Sequence, residues 1–172
     1  SEGLEAYDQA EHTGYLRHLV LREGRNTGQM LVQLVTAEGQ RFDPEELVEV
    51  LRRFPEVRSI HWSVNDSPAE VTNLPTTLLW GEEAIEEELC GLRFRVRPNA
   101  FLQTNTAMAE RLYGLAGEYA ALTGNETVYD LYCGIGTIGL TLAEKSLTVW
   151  GVEGMMVKPL PNSELSGRRH KV

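Results

Sequence analysis

Cysteine is scarce. Cys90 and Cys133 are the two in 172 residues. They are too few for a disulfide framework and too far apart for a CxxC metal site. Both read as small buried side chains in a reducing compartment. Long apolar runs are also missing. No stretch approaches the roughly 20 residues that a membrane-spanning helix needs, and no basic-then-apolar leader opens the sequence. These absences lead us to expect a cytoplasmic protein without membrane contact. An excess of positive charge is lacking too, with 16 Lys and Arg against 25 Asp and Glu and a net charge of −9. That argues weakly against a nucleic-acid partner, because phosphate contacts need local positive charge. Distribution matters more than the sum. Acid gathers at Glu2, Glu5, Asp8 and Glu11 and again in the run from Glu82 to Glu88, whereas base gathers at Arg17, His18, Arg22 and Arg25. That basic group reads either as a solvated strand face or as an RNA contact.

What remains is ordinary globular composition, 42% apolar and 24% charged, in a chain long enough for one domain or for a small domain plus part of another. Residues 1–13 show little apolar periodicity and read as a frayed lead-in. Tyr15–Glu23 and Gln29–Thr36 are β-prone runs around Gly24-Arg25-Asn26-Thr27-Gly28, which predicts a hairpin. Asp43 followed by Pro44 and Glu46 predicts a capped helix start with a capping box. Leu47, Val50, Leu51 and Phe54 then form one apolar stripe that ends at Pro55. Val57–Val64 returns to strand character, and shorter β-prone pieces follow at Thr76–Trp80, Ala84–Leu89 and Leu92–Val96. Residues 14–97 therefore read as a small, mostly antiparallel α+β domain with one helix on one face. The pattern changes near Pro98-Asn99. Met108, Leu112, Leu115, Ala116 and Tyr119 share one helical face and predict an amphipathic helix over about 105–121. Thr127–Leu131, a glycine-rich turn, a helix over about Ile138–Lys145 and a strand over Leu147–Val152 make a βαβ unit with a parallel strand pair. The expected division is thus 1–97 and 98–172, the second part being the start of a Rossmann-like α/β domain.

The chemistry-bearing segment is Asp130-Leu131-Tyr132-Cys133-Gly134-Ile135-Gly136-Thr137-Ile138-Gly139-Leu140. Its glycines let the backbone turn sharply from strand to helix and approach a ligand closely. A lone Gly-x-Gly is weak, but here a strand precedes it and a helix follows. Glu153 ends the next strand, at the distance expected of an acid that grips a ribose hydroxyl pair. Such a turn can serve a dinucleotide or S-adenosylmethionine. A dinucleotide site usually reads Gly-x-Gly-x-x-Gly, and the form Asp-x-Tyr-Cys-Gly-x-Gly-Thr favours the methyl donor. Asp130 stands where it can hold either the turn or the cationic part of the ligand.

Asp130 to Thr137, together with Gly151-Val152-Glu153, closely resembles the RNA uracil-C5 methyltransferases of transfer and ribosomal RNA. Asn99-Ala100-Phe101-Leu102-Gln103-Thr104-Asn105 looks like that family's Phe-x-Gln-x-Asn signature, and Arg17 to Gly28 resembles the opening hairpin of its central domain. The stretch ending Trp80-Gly81-Glu82, with Leu89-Cys90-Gly91, fits that domain as well. The resemblance covers about residues 14–153, with its motifs in the family's order. It implies S-adenosylmethionine as cofactor and RNA as partner. Asp130, Gly134 and Gly136 would shape the donor turn, Gln103, Tyr132 and Thr137 would contact the donor, and Glu153 would hold its ribose. Arg17, Arg22 and Arg25 would face RNA. The blander alternatives are a helix-capping amide for Gln103, a core aromatic for Tyr132, a plain N-cap for Thr137 and a solvated strand-end acid for Glu153. Cys133 matches a turn residue of the family and is read as packing.

The resemblance also implies a cysteine nucleophile that adds to carbon 6 of a flipped uracil, and a base that removes the carbon-5 proton. In the family that cysteine lies in a Ser-Cys-Asn-Pro-like segment after an Asp-Pro-Pro-Arg-like turn. Neither segment occurs here, so nucleophile and base are expected beyond Val172 and no residue of this chain is read as catalytic. Gly154–Val172 departs from the pattern, since Pro159 and Pro161 would break the helix expected there. A parallel sheet ending after two strands would expose an edge and an apolar face, which predicts self-association. Two other readings stay open: a methyltransferase of another substrate class, and a non-catalytic binding fragment.

Overall fold

The structure, a computed structural model, describes residues 3–39, 41–69, 71, 73–153 and 156–157. The chain forms two compact units, Ser1–Glu88 with Arg95–Asn99, and Leu89–Phe94 with Ala100–Val172. No helix among the described residues is long and apolar enough to cross a membrane.

The first unit is a four-stranded sheet in the order β1-β2-β3-β4. β1 (Leu16–Gly24) and β2 (Gln29–Thr36) form the hairpin that the turn residues predict. α1 (Pro44–Leu51) then carries the chain back so that β3 (Val57–Val64) lies parallel to β2. β4 (Thr76–Gly81) closes the sheet antiparallel to β3. β2–β3 is the parallel pair in a sheet whose other two pairs are antiparallel, which agrees with the mostly antiparallel reading. The segment between them holds a helix, and a helical crossover is what joins parallel neighbours. Val48 and Leu51 of α1 pack against Val32, Val57 and Ile60. The helix start differs from expectation. Asp43 accepts from the Glu45 amide at 2.8 Å, one residue short of the capping-box position. The early residues are tied down rather than frayed. Glu5 O accepts from Tyr15 N (3.0 Å) and Leu16 N (2.9 Å), and Tyr7 N donates to Leu16 O (2.8 Å). Gly14 makes that approach possible, because a Cβ there would meet the backbone of Ala6 and Tyr7.

β5 (Ile85–Leu89) and β6 (Leu92–Val96) form a two-stranded ribbon. Cys90 (φ 52°) and Gly91 (φ 74°) join them in the left-handed conformation that two-residue hairpins require. Glu87, in the acidic run, is fully buried. Its carboxylate accepts from the amides of Arg25 (2.8 Å) and Asn26 (3.0 Å), so it fixes the β1–β2 turn.

The second unit holds α2 (Thr106–Ala120), β7 (Thr127–Leu131), α3 (Thr137–Leu142) running into a short 3₁₀ turn, and β8 (Thr148–Glu153). β7 and β8 are parallel, Asp130 beside Gly151 and Leu131 beside Val152. β9 (Met156–Val157) adds antiparallel to β8, where the family pattern led us to expect a helix. Residues 154–155 and 158–172, with Pro159 and Pro161, lie outside the described residues. Leu89 and Phe94 from the hairpin tip, Ala109 and Tyr113 of α2, Leu140 and Ala143, and Val149 of β8 make the core. α2 turns a different face inward than its apolar stripe suggests. Thr106, Ala109, Tyr113 and Gly117 are buried, while Met108, Leu112, Leu115 and Tyr119 are exposed. Small residues let the helix sit close to its neighbours, as at Gly117, where a Cβ would lie 3.3 Å from Leu142.

Between α2 and β7 the chain turns around Glu126. Its carboxylate accepts from the Thr123 hydroxyl (2.6 Å) and amide (2.8 Å) and from the amides of Gly124 (3.0 Å) and Asn125 (3.2 Å). These bonds, led by the Thr123 hydroxyl, hold its pKa at about 2, against an ordinary 4.5. A depressed carboxylate stabilises the fold above its unfolded value and loses that contribution as pH falls through its folded one. The Glu126 carbon resonance is therefore expected to titrate near pH 2. A midpoint at the ordinary value would show that the turn does not hold it.

Candidate methyl-donor site

The turn from β7 into α3 is anchored on one side and open on the other. Cys133 and Ile135 pack against the core of the second unit, in keeping with a packing role for that cysteine. Tyr132 between them and the strand is 81% exposed, so it is no core aromatic. It also has φ 61°, a left-handed conformation that costs a non-glycine residue about 1–2 kcal/mol. Such strain gathers at functional sites. Gly134 (φ 55°) faces open space, with nothing within 4 Å of where its Cβ would be. Gly136 (φ 83°) is the residue that caps α3, so Thr137 is the first helical residue and not the cap. The Thr137 hydroxyl instead meets the hydroxyl of buried Tyr113 at 3.2 Å. Tyr113 did not stand out in the sequence. Its only signal is its seven-residue spacing from Thr106 on the buried side of α2.

Asp130 holds the turn. Its Oδ2 accepts from Gly139 N at 2.7 Å, stitching the end of β7 to α3. Half-burial raises the Asp130 pKa, and the Gly139 amide opposes that rise. The approach is tight: a Cβ on Gly139 would lie 2.8 Å from that same oxygen and 3.1 Å from Val149 Cγ1. Glu153 is the last residue of β8, one beyond the partner of Leu131. The backbone at Glu153 and the glycine turn therefore share the carboxyl end of one parallel strand pair, where ligands of open α/β sheets bind.

Gln103 is exposed in the segment ahead of α2. The capping role there belongs to Asn105, whose Oδ1 accepts from Met108 N at 3.1 Å. Phe101 of the same signature is also exposed.

The three arginines of the first hairpin differ. Arg17 is engaged within the protein. Its Nη1 donates to the carbonyls of Asn65 (2.8 Å) and Ser67 (2.7 Å), and its guanidinium lies 4.0 Å from the Tyr7 ring centre. Arg22 is half-buried with its Nε unpaired, and burial lowers its pKa without removing the charge. Arg25 is exposed on the turn that Glu87 fixes, 3.6 Å from Glu23. No cluster of metal-ligating side chains occurs among the described residues.

No protein-family model matches the chain. It is 41% identical over 152 residues to an uncharacterised RNA methyltransferase of Streptococcus mutans, covering 87% of this chain and 34% of the relative. It is 43% identical over 152 residues to one of Enterococcus faecalis, covering 87% and 33%. The chain is homologous to the RNA methyltransferases. It spans about a third of the length of the relatives it matches. Its fold agrees with a solved methyltransferase, the Pyrococcus abyssi tRNA (uracil-54, C5)-methyltransferase in complex with S-adenosyl-L-homocysteine. That match has a TM-score of 0.66 and 36% identity, and covers 83% of this chain and 34% of the other. The α/β architecture read from the strand–turn–helix–strand pattern is thus that of a methyltransferase.

Proposed function

We propose that this chain is the donor-binding and RNA-facing part of an S-adenosylmethionine-dependent methyltransferase that modifies carbon 5 of uracil in transfer or ribosomal RNA in the cytoplasm. The observation that carries this reading is the open, strained turn at Tyr132–Gly136 on the same sheet end as Glu153. The turn suits the donor. Gly134 leaves room beside the backbone, and Tyr132 offers an exposed ring. The donor supplies an electrophilic methyl group on a sulfonium. This chain's residues bind and orient it: Asp130 fixes the turn, Gly134 and Gly136 let the backbone approach, Tyr132 and Thr137 border the ligand, Gln103 reaches it by its amide, and Glu153 accepts from both ribose hydroxyls. The nucleophile and base belong to parts of such an enzyme that this chain does not span. In this reading residues 1–97 face RNA and 98–172 hold the donor. The exposed Tyr129 and Leu131 of β7 give a surface for self-association.

Two expected results test the reading. Tyr132→Gly removes the left-handed penalty and little packing, so stability rises by about 0.5–1 kcal/mol after the entropy cost of glycine. Affinity for S-adenosylhomocysteine falls several-fold in the same variant. A loss of stability would show that Tyr132 is structural. For the RNA side, Arg22→Ala and Arg25→Ala each weaken RNA binding and flatten its salt dependence by roughly 0.7 in the log–log slope per lost single-strand phosphate contact. Arg17 positions the hairpin through Asn65 and Ser67, so its replacement also lowers stability. Salt-independent binding, unchanged in both variants, would remove the RNA assignment.

A further inference from the structure

α3 is a short helix that has to be held from outside. It has six residues, and its cap residue, Gly136, offers no side-chain bond. A helix of that length gains little from its own hydrogen bonds and takes its position from its neighbours. The turn ahead of it is left-handed at Tyr132, Gly134 and Gly136. Two side chains tie α3 down. Asp130 accepts from the amide of Gly139. Tyr113 reaches Thr137, the first residue of the helix, hydroxyl to hydroxyl at 3.2 Å.

Burial sets the direction of that bond. Tyr113 is 4% exposed and belongs to the core cluster with Ala109, Leu140, Ala143 and Val149. A buried phenol needs an acceptor for its proton. Among the described residues, Thr137 Oγ1 is the partner it has. Were Thr137 to give its proton to Tyr113, the phenol proton would be left buried without an acceptor. Tyr113 is therefore the donor, and half-buried Thr137 keeps its own proton to give. A phenylalanine ring would fill the same apolar space, so the hydroxyl of Tyr113 serves the bond and not the core. We infer that Tyr113 is a positioning residue of the donor site: its phenol holds Thr137 so that the Thr137 hydroxyl donates to an acceptor atom of the methyl donor. The inference rests on the donor reading above and deepens it. It also gives α2 a task. The helix starts at Thr106, just after the segment that carries Gln103, and through Tyr113 it joins that segment to the glycine turn. A binding group must have its own rotamer locked by such a partner to hold a ligand in one geometry.

The test is calorimetry of S-adenosylhomocysteine binding to the 172-residue chain and its variants. Tyr113→Phe removes one oxygen and is expected to weaken binding about three- to tenfold, the range of one hydrogen bond. Thr137→Val removes the acceptor and the donated proton together and should weaken it at least as much. The double variant decides the role. Because Tyr113 acts through Thr137, adding Tyr113→Phe to Thr137→Val should cost less than about twofold more. Thr137→Ser keeps the hydroxyl and should stay sensitive to Tyr113→Phe. A Tyr113→Phe chain that binds as tightly as wild type overturns the inference and leaves the donor reading standing. A loss that persists undiminished in the Thr137→Val background also overturns it, since Tyr113 would then act through packing alone. A wild-type chain that binds no S-adenosylhomocysteine removes the donor reading and this inference with it.

Discussion

Gly139→Ala is expected to destabilise the second unit by about 2–4 kcal/mol, toward the upper end of the range for overpacking a close contact. The added Cβ would come 2.8 Å from Asp130 Oδ2 and 3.1 Å from Asp130 Cβ and Val149 Cγ1, so two strands would have to give way at once. Moving Asp130 aside also breaks its 2.7 Å bond to the Gly139 amide, the bond that fixes α3 on β7. A half-buried carboxylate whose pKa is already raised by burial then loses its partner. Gly134→Ala separates packing from backbone strain. Gly134 has φ 55° but open space around it, so only the left-handed penalty of about 1 kcal/mol applies. Denaturant unfolding, with amide exchange of β7 and β8 reporting on the second unit, measures both. Equal losses in the two variants would mean that the close approach at Gly139 is not what holds the turn.

Glu153→Ala is expected to weaken S-adenosylhomocysteine binding by about 1–3 kcal/mol, or roughly fivefold to 150-fold. The argument is positional. The parallel register places the Glu153 backbone one step beyond Val152, which pairs with Leu131 at the start of the glycine turn. A carboxylate there can accept from both hydroxyls of a ribose bound across the strand ends, as an acid at that strand end does in dinucleotide folds. Because the hydrogen bonds are charge-assisted, Glu153→Gln should fall between wild type and alanine. Identical affinities by calorimetry for all three proteins would remove the ribose assignment.

The local elements were legible wherever sequence signals agreed with one another. The Gly24–Gly28 turn between two β-prone runs, Pro44 after Asp43, and the glycines after Thr127–Leu131 each specify their element through backbone chemistry. What the sequence hid depends on distant partners. The apolar stripe of α2 pointed to Met108, Leu112 and Leu115, yet the helix buries Ala109, Tyr113 and Gly117. Close approach at small residues decided the face, and apolar count did not. The parallel β2–β3 pair was hidden among the antiparallel pairs β1–β2 and β3–β4, although the helix between its strands is a crossover of the kind that joins parallel neighbours. Glu87 stood out in the sequence only as one member of the acidic run, but the backbone amides of Arg25 and Asn26 come to it from across the unit. The glycine turn itself was readable because its glycines and Asp130 act within one short stretch of chain.

The most direct test of the donor site is an amide chemical-shift map of the chain titrated with S-adenosylhomocysteine. The account predicts that the largest shifts fall on Tyr132–Ile138 and on Glu153, at the carboxyl ends of β7 and β8. Shifts centred anywhere else, or none at saturating ligand, would contradict it.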